Sequence, residues 1–132
     1  MPAQSHYDKP NKIIYHRYWA YMTGKEFKDS LYGEQDFFDQ MTGKVGVIFD
    51  FTDLESLPAS MLTISRKAYF VRYQPLVIGL VGNYYFVQAM TQIIKQITPA
   101  SVYNFDTFEK ASAYMRTRIK PMDMISLSQL IY

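Results

Sequence analysis

The sequence predicts an α/β domain built on a single-layer mixed, largely parallel sheet of four to five strands with about four helices. Three observations carry this expectation. The chain has 132 residues, a single-domain length. Short apolar, β-branched runs at Lys12–Met22, Val45–Phe51, Leu76–Val81 and Ser101–Phe105 read as strands. Between them lie amphipathic stretches of helical period, and strands alternating with helices imply crossovers that return the chain to the same end of a sheet.

Taken in order, residues 1–11 are polar with two prolines and read as a flexible N-terminal arm. In the first strand Ile14, His16, Tyr18 and Ala20 share one face. Phe27, Leu31, Phe38 and Met41 recur near 3.6 residues among Lys25, Glu26, Lys28, Asp29, Glu34 and Asp36, which predicts an amphipathic helix from Gly24 to Met41 with a weak point at Gly33. Val45–Phe51 is apolar throughout, as in a central strand buried on both faces. Ser56 and Pro58 supply a cap and an early-turn proline for a helix to about Tyr73, with Met61, Ile64, Ser65 and Ala68 inward and Pro75 as its stop. Leu76–Val81, a turn at Gly82-Asn83, and the stripe Phe86, Val87, Met90, Ile93, Ile94 and Ile97 read as strand, turn and helix. Ser101–Phe105 is the last strand. Asp106-x-x-Glu109 is a capping arrangement for a final helix, Thr107 to about Ile119, buried through Phe108, Ala111, Met115 and Ile119. Residues 12–120 thus form one domain, and residues 121–132 a tail that is either a further strand or a helix.

Composition removes several function classes. With no cysteine there is no disulfide framework, thiolate nucleophile or Cys-ligated metal. A net charge of +2 does not supply the phosphate neutralisation that nucleic-acid binding needs. The N-terminus lacks the pattern of a secretory signal and no eighteen apolar residues run together, so the expectation is a cytoplasmic chain with no transmembrane segment.

Candidate chemistry is sparse. Asp50 stands at a strand end, where open α/β sheets place ligands, but the first strand ends without the acidic pair that would hold magnesium beside a phosphoacceptor. His6 and His16 are the only histidines and have no metal-ligand spacing. No Gly-x-Ser-x-Gly turn supports a nucleophilic serine, and Gly79 and Gly82 complete neither a phosphate loop nor a dinucleotide fingerprint. No catalytic residue, metal or cofactor is therefore assigned. Lys110, Arg116, Arg118 and Lys120 gather where cations meet the helix dipole. Twelve tyrosines and nine phenylalanines exceed what a small core consumes. Tyr15 and Trp19 in an edge-like first strand, with Tyr84 and Tyr85 at a helix start, are the candidate interface.

The ordered segments Val45-Gly-Val-Ile-Phe-Asp-Phe-Thr-Asp-Leu54, Leu76-Val-Ile-Gly-Leu-Val-Gly82 and Val102-Tyr-Asn-Phe-Asp-Thr-Phe-Glu-Lys-Ala-Ser-Ala-Tyr-Met115 resemble the STAS superfamily, in particular its SpoIIAA-like branch, over about residues 12–119. The resemblance implies helices packed mainly on one side of the sheet, and binding of proteins or of small apolar or anionic ligands rather than catalysis. Anti-sigma-factor antagonists of that superfamily carry a phosphorylated serine at the start of the helix after the strand-end motif. That motif falls here on Asp50-Phe-Thr52, and the serine pattern on Pro58-Ala59-Ser60, with alanine at the usual phosphoserine position and Ser56 and Ser60 nearby. The resulting expectation is a non-enzymatic regulatory module that docks a protein partner, its own copy included as a homodimer, through the aromatic first strand or the segment carrying Asp50, Thr52, Ser56 and Ser60. The alternative is a carrier or sensor of a small apolar ligand held between sheet and helices by Met61, Ile64, Phe86 and Met90.

Overall fold

The structure, a computed structural model, describes residues 3–56, 58–68, 76–82 and 85–120. Its elements are β1 (Ala3–Asp8), β2 (Ile13–Tyr21), α1 (Gly24–Ser30), α2 (Glu34–Asp39), β3 (Val45–Ser56), α3 (Met61–Lys67), β4 (Leu76–Val81), α4 (Tyr85–Ile97), β5 (Ser101–Phe105) and α5 (Phe108–Arg118). The five strands stand side by side in chain order, with β1 antiparallel to β2 and every later neighbour parallel. Because each crossover joins adjacent parallel strands with the same hand, α1 to α4 fall on one face. There Ile14, Tyr18, Phe49, Phe51, Ile78 and Leu80 meet Phe27, Phe38, Met61, Val87 and Ile94 in the larger core. Among the described residues only α5 lies on the opposite face, where Ala111, Met115 and Ile119 cover Ile13, Ile48, Val77 and Val81. Its close seating needs Gly46, where an added Cβ would stand 2.9 Å from the Met115 sulfur.

Several expectations are corrected. The residues read as a flexible arm supply β1, paired with β2 from Ala3↔Tyr18 to Asp8↔Ile13. Ser5 and Tyr7 turn inward while Gln4 and His6 turn out, a two-residue period that the polar composition masks. The aromatic strand β2 is therefore interior, not an edge. Its alternation holds only to Tyr18, because register shifts follow Arg17 and Ala20, and Ala20, at φ 56°, lies exposed. The helix expected over Gly24–Met41 breaks before Gly33 into α1, started by a Thr23/Glu26 capping box, and α2. Finally, α5 is capped by Thr107, whose hydroxyl accepts from Lys110 N–H at 3.2 Å, and not by Asp106. Thr107→Ala is accordingly expected to cost about 1 kcal/mol and Asp106→Ala much less, read as chemical-denaturation midpoints. The helix expected from a Ser56 and Pro58 start to about Tyr73 is shorter, because β3 runs through Ser56, α3 begins after Ser60, and the backbone turns extended at Ala68. The expected stop at Pro75 and the tail from 121 to 132 lie outside the described residues.

Candidate functional site

On the α5 side of the sheet, α5 packs on β3, β4 and β5. Among the described residues, this leaves β1 and most of β2 uncovered there, and a cleft of about 790 Å³ opens between them and the helix. Gln4, His6 and Asp8 form its outer wall, and Tyr15 and Arg17 its floor. Asp50, Thr52 and Asp53 close it at the carboxyl end of β3, and Asp106, Phe108, Glu109 and Arg116 at the start and flank of α5.

Period-two alternation explains the floor, since residues 13, 15 and 17 of β2 all point to this face. Tyr15 and Phe108 bring their ring centroids to 5.7 Å, and His6 lies 6.1 Å from Tyr15. The Arg17 guanidinium donates to Asp53 Oδ2 at 2.8 Å, which holds it in its charged form, and sits 5.9 Å from the Trp19 ring. Asp50 Oδ1 accepts from the Thr52 amide at 3.0 Å and from the Thr52 hydroxyl at 2.6 Å, so this carboxylate is positioned by its own strand end. Five carboxylates (Asp8, Asp50, Asp53, Asp106 and Glu109) face two arginines, making the cleft acidic in a chain whose net charge is +2.

Directly behind this floor, on the other face of β1 and β2, lies a buried polar array. His16 Nε2 and Glu34 Oε2 are 2.8 Å apart, both side chains fully buried. His16 Nδ1 is 2.7 Å from Ser5 Oγ, and the Ser5 hydroxyl donates to the Ser30 carbonyl at 3.3 Å. A proton on Nδ1, bonded to the Ser5 oxygen, is the tautomer that leaves the Ser5 hydroxyl free to serve the Ser30 carbonyl. Beside it the Tyr18 hydroxyl is 2.7 Å from Ser30 Oγ, whose own proton goes to the Phe27 carbonyl at 2.6 Å. The His16 ring stacks on Phe49 at 5.1 Å and meets Tyr7 edge-on at 6.4 Å. Glu34 Oε1 is buried without a hydrogen-bond partner among the described residues. Burial pushes the Glu34 carboxyl up against the opposing pull of His16, and burial with the Glu34 charge raises Tyr7 as well. Ser5, His16 and Glu34 are linked in the order of a hydrolytic relay. The ring nitrogens are exchanged relative to that chemistry, with Nδ1 and not Nε2 on the serine.

Among solved structures, the chain is similar to an uncharacterized protein from the DUF3478 family with a SpoIIAA-like fold from Shewanella loihica PV-4. The TM-score is 0.59 at 13% identity, over 86% of this chain and 91% of that one. The chain has a SpoIIAA-like fold. No family model and no curated protein matches it. Its five-stranded mixed sheet agrees with the architecture that the sequence predicts. No helix among the described residues is long and apolar enough to cross a membrane.

The SpoIIAA-like domain distributes the sequence-derived candidates over separate places. Asp50, Thr52 and Tyr15 line the cleft. Ser56 is exposed at the end of β3, opposite Tyr21, and Ser60 stands at the start of α3 beside Gly24 of α1, making no cap bond. Neither serine belongs to the cleft lining. Met61 and Met90 do face each other between sheet and helices, with Phe27, Phe49, Phe51 and Leu80, but the gap there has no room for a water molecule. Phe86 is partly buried against that core, and Ile64 borders a surface hollow of about 330 Å³ between α1 and α3. Trp19 is half-buried, Tyr85 is 87% exposed, and Tyr84 lies outside the described residues. Sequence reasoning missed Arg17, Asp53 and Glu109 in the cleft, and Ser5 and Glu34 in the array.

Proposed function

We propose that this SpoIIAA-like domain is a non-enzymatic interaction module that docks a basic segment of a partner protein in the cleft between α5 and β1–β2. One observation carries the reading: five carboxylates against two arginines ring an aromatic floor on an uncovered sheet face. A lysine or arginine laid on Tyr15 and Phe108 gains cation–π attraction, and the surrounding carboxylates steer it there. Recognition of this kind needs no bond making, and the cleft carboxylates are held by strand-end and side-chain contacts suited to a fixed docking surface. The apolar-ligand alternative has less support, because Met61 and Met90 are packed together.

The test is fluorescence anisotropy with a dye-labelled octapeptide of alternating arginine and glycine, against one of alternating glutamate and glycine. The basic peptide is expected to bind, to weaken with salt, and to lose at least about tenfold in affinity with Glu109→Lys combined with Asp53→Lys. Equal binding of both peptides, or no binding, sinks the reading. A concentration-dependent dimer abolished by the same two substitutions would assign the cleft to a second copy instead.

A further inference from the structure

We propose that the Ser5–His16–Glu34 array is a proton-controlled latch on β1, which regulates the cleft by holding or releasing the strand that forms its outer wall. Its functional consequence rests on the docking reading above, but its mechanism does not. β1 is an edge strand with two kinds of anchor. One is its ladder with β2. The other is the inward pair Ser5 and Tyr7, and both of these converge on the array. Ser5 bonds His16 Nδ1 and the Ser30 carbonyl. Tyr7 packs edge-on to His16 and lies 5.7 Å from Phe37 of α2. Its hydroxyl also approaches Gly33 so closely that an added Cβ would stand 2.9 Å away. The outward residues of the same strand, Gln4, His6 and Asp8, are the cleft wall.

The latch follows from counting protons. With Nδ1–H bonded to Ser5, a single further proton lies on the Nε2–Oε2 axis, and the pair is neutral whether that proton is on nitrogen or on oxygen. Removing it leaves a carboxylate facing a nitrogen lone pair at 2.8 Å, with Oε1 already unpartnered, and so an uncompensated buried charge. Opening β1 and α2 to water relieves it. The sign agrees with the raised Glu34 carboxyl: the closed state binds the proton more tightly, so its advantage is full at low pH and is lost as pH rises.

The other groups facing the pair hold their state as the Glu34 carboxyl titrates. From β1 and β2 these are Tyr7 and Tyr18, both raised above the ordinary phenol value by burial. From β3 it is the Phe49 ring, and from α1 the Ser30 carbonyl, which accepts from Ser5. Of the other charged side chains of α1 and α2, Lys25, Lys28, Asp29, Asp36 and Asp39 are exposed, and Glu26 is half-buried in the capping box on the Thr23 amide.

Hydrogen–deuterium exchange on the full chain tests the latch without any peptide, with rates corrected for the intrinsic pH dependence of exchange. As pH rises, protection of Ala3–Asp8 is expected to fall, by at most about tenfold per pH unit for the loss of one proton, while Leu76–Val81 in β4 keeps its protection. Glu34→Gln retains a hydrogen-bonding group at the ring nitrogen but cannot titrate, and its β1 should show no such slope. A flat β1 profile in the unmodified chain, or the same slope in β4 or in Glu34→Gln, overturns the latch. If Glu34→Gln does not fold, Ser5→Ala cuts the tie to β1, and its β1 is expected to be weakly protected at every pH. A β1 that keeps the wild-type slope in Ser5→Ala likewise overturns it. Failure of docking reads differently, as absent basic-peptide binding at the pH where β1 is protected, with the exchange pattern intact.

Discussion

Replacing His16 with alanine is expected to cost about 3–5 kcal/mol, a large share of the about 5–15 kcal/mol that holds a domain of this size. The cause is what remains. Glu34 stays fully buried on α2, with Oε1 already unpartnered and Oε2 now so too. Glu34 then keeps its proton to higher pH, and the sign can be followed. A carboxyl whose folded value is raised contributes stability that is full below its unfolded value and is lost as pH rises through the folded one. His16→Ala should therefore grow less stable as pH climbs out of the carboxylate range, more steeply than the unmodified chain, in which His16 draws the Glu34 carboxyl down. Replacing both partners by leucine removes the charge along with its partner and is expected to recover most of the loss. Urea denaturation of the single and double variants decides the matter, and a double variant no more stable than His16→Ala would refute this account of the pair.

Phe49→Ala is expected to be nearly as damaging, at about 3–5 kcal/mol. The Phe49 ring is 2% exposed and is the centre of an aromatic stack, 5.1 Å from His16, 6.4 Å from Phe27 and 6.3 Å from Phe51. It also walls the narrow gap between Met61 and Met90. Truncation joins the vacated ring volume to that gap and leaves a largely apolar cavity, with the buried Ser65 hydroxyl on its wall. Benzene or a similar apolar probe is expected to raise the melting temperature of Phe49→Ala and to leave the unmodified chain unmoved. A shift of equal size in both would mean that the core between Met61 and Met90 already admits ligands, and would revive the apolar-carrier reading.

The parallel part of the fold was legible because its signals are local and redundant. Val45–Phe51 and Leu76–Val81 are apolar at every position but Gly and Asp50, as a strand covered on both faces must be. β1 was not legible, since Ala3–Asp8 has little intrinsic strand preference and owes its conformation to the ladder with β2. Glu34 shows a subtler failure. Its place seven residues after Phe27 and four before Phe38 puts it on the inward stripe of the helical pattern, yet its charge assigned it to solvent. Only a partner on another element, His16, makes that burial tolerable, and no local pattern displays such a partner. The cleft is similarly non-local: Asp50 and Thr52 were visible at a strand end, whereas Arg17 and Glu109 join them only when β2 and α5 are brought together.

The solitary position of α5 has a consequence for how the chain is made. The face formed by Ile13, Ile48, Val77 and Val81 is complete once β4 has been synthesised, yet its cover consists of Ala111, Met115 and Ile119 near the far end of the described chain. At about 5–20 residues per second, ribosomes take several seconds to cross that interval. During it the nascent sheet presents a bare oily side while its opposite side is already clothed by α1 to α3 and then by α4. Trigger-type holding factors that shield such surfaces have a natural window on this chain, and premature termination anywhere between β4 and α5 would release a product with nothing to hide it. Quality control of this protein is thereby concentrated in its last helix.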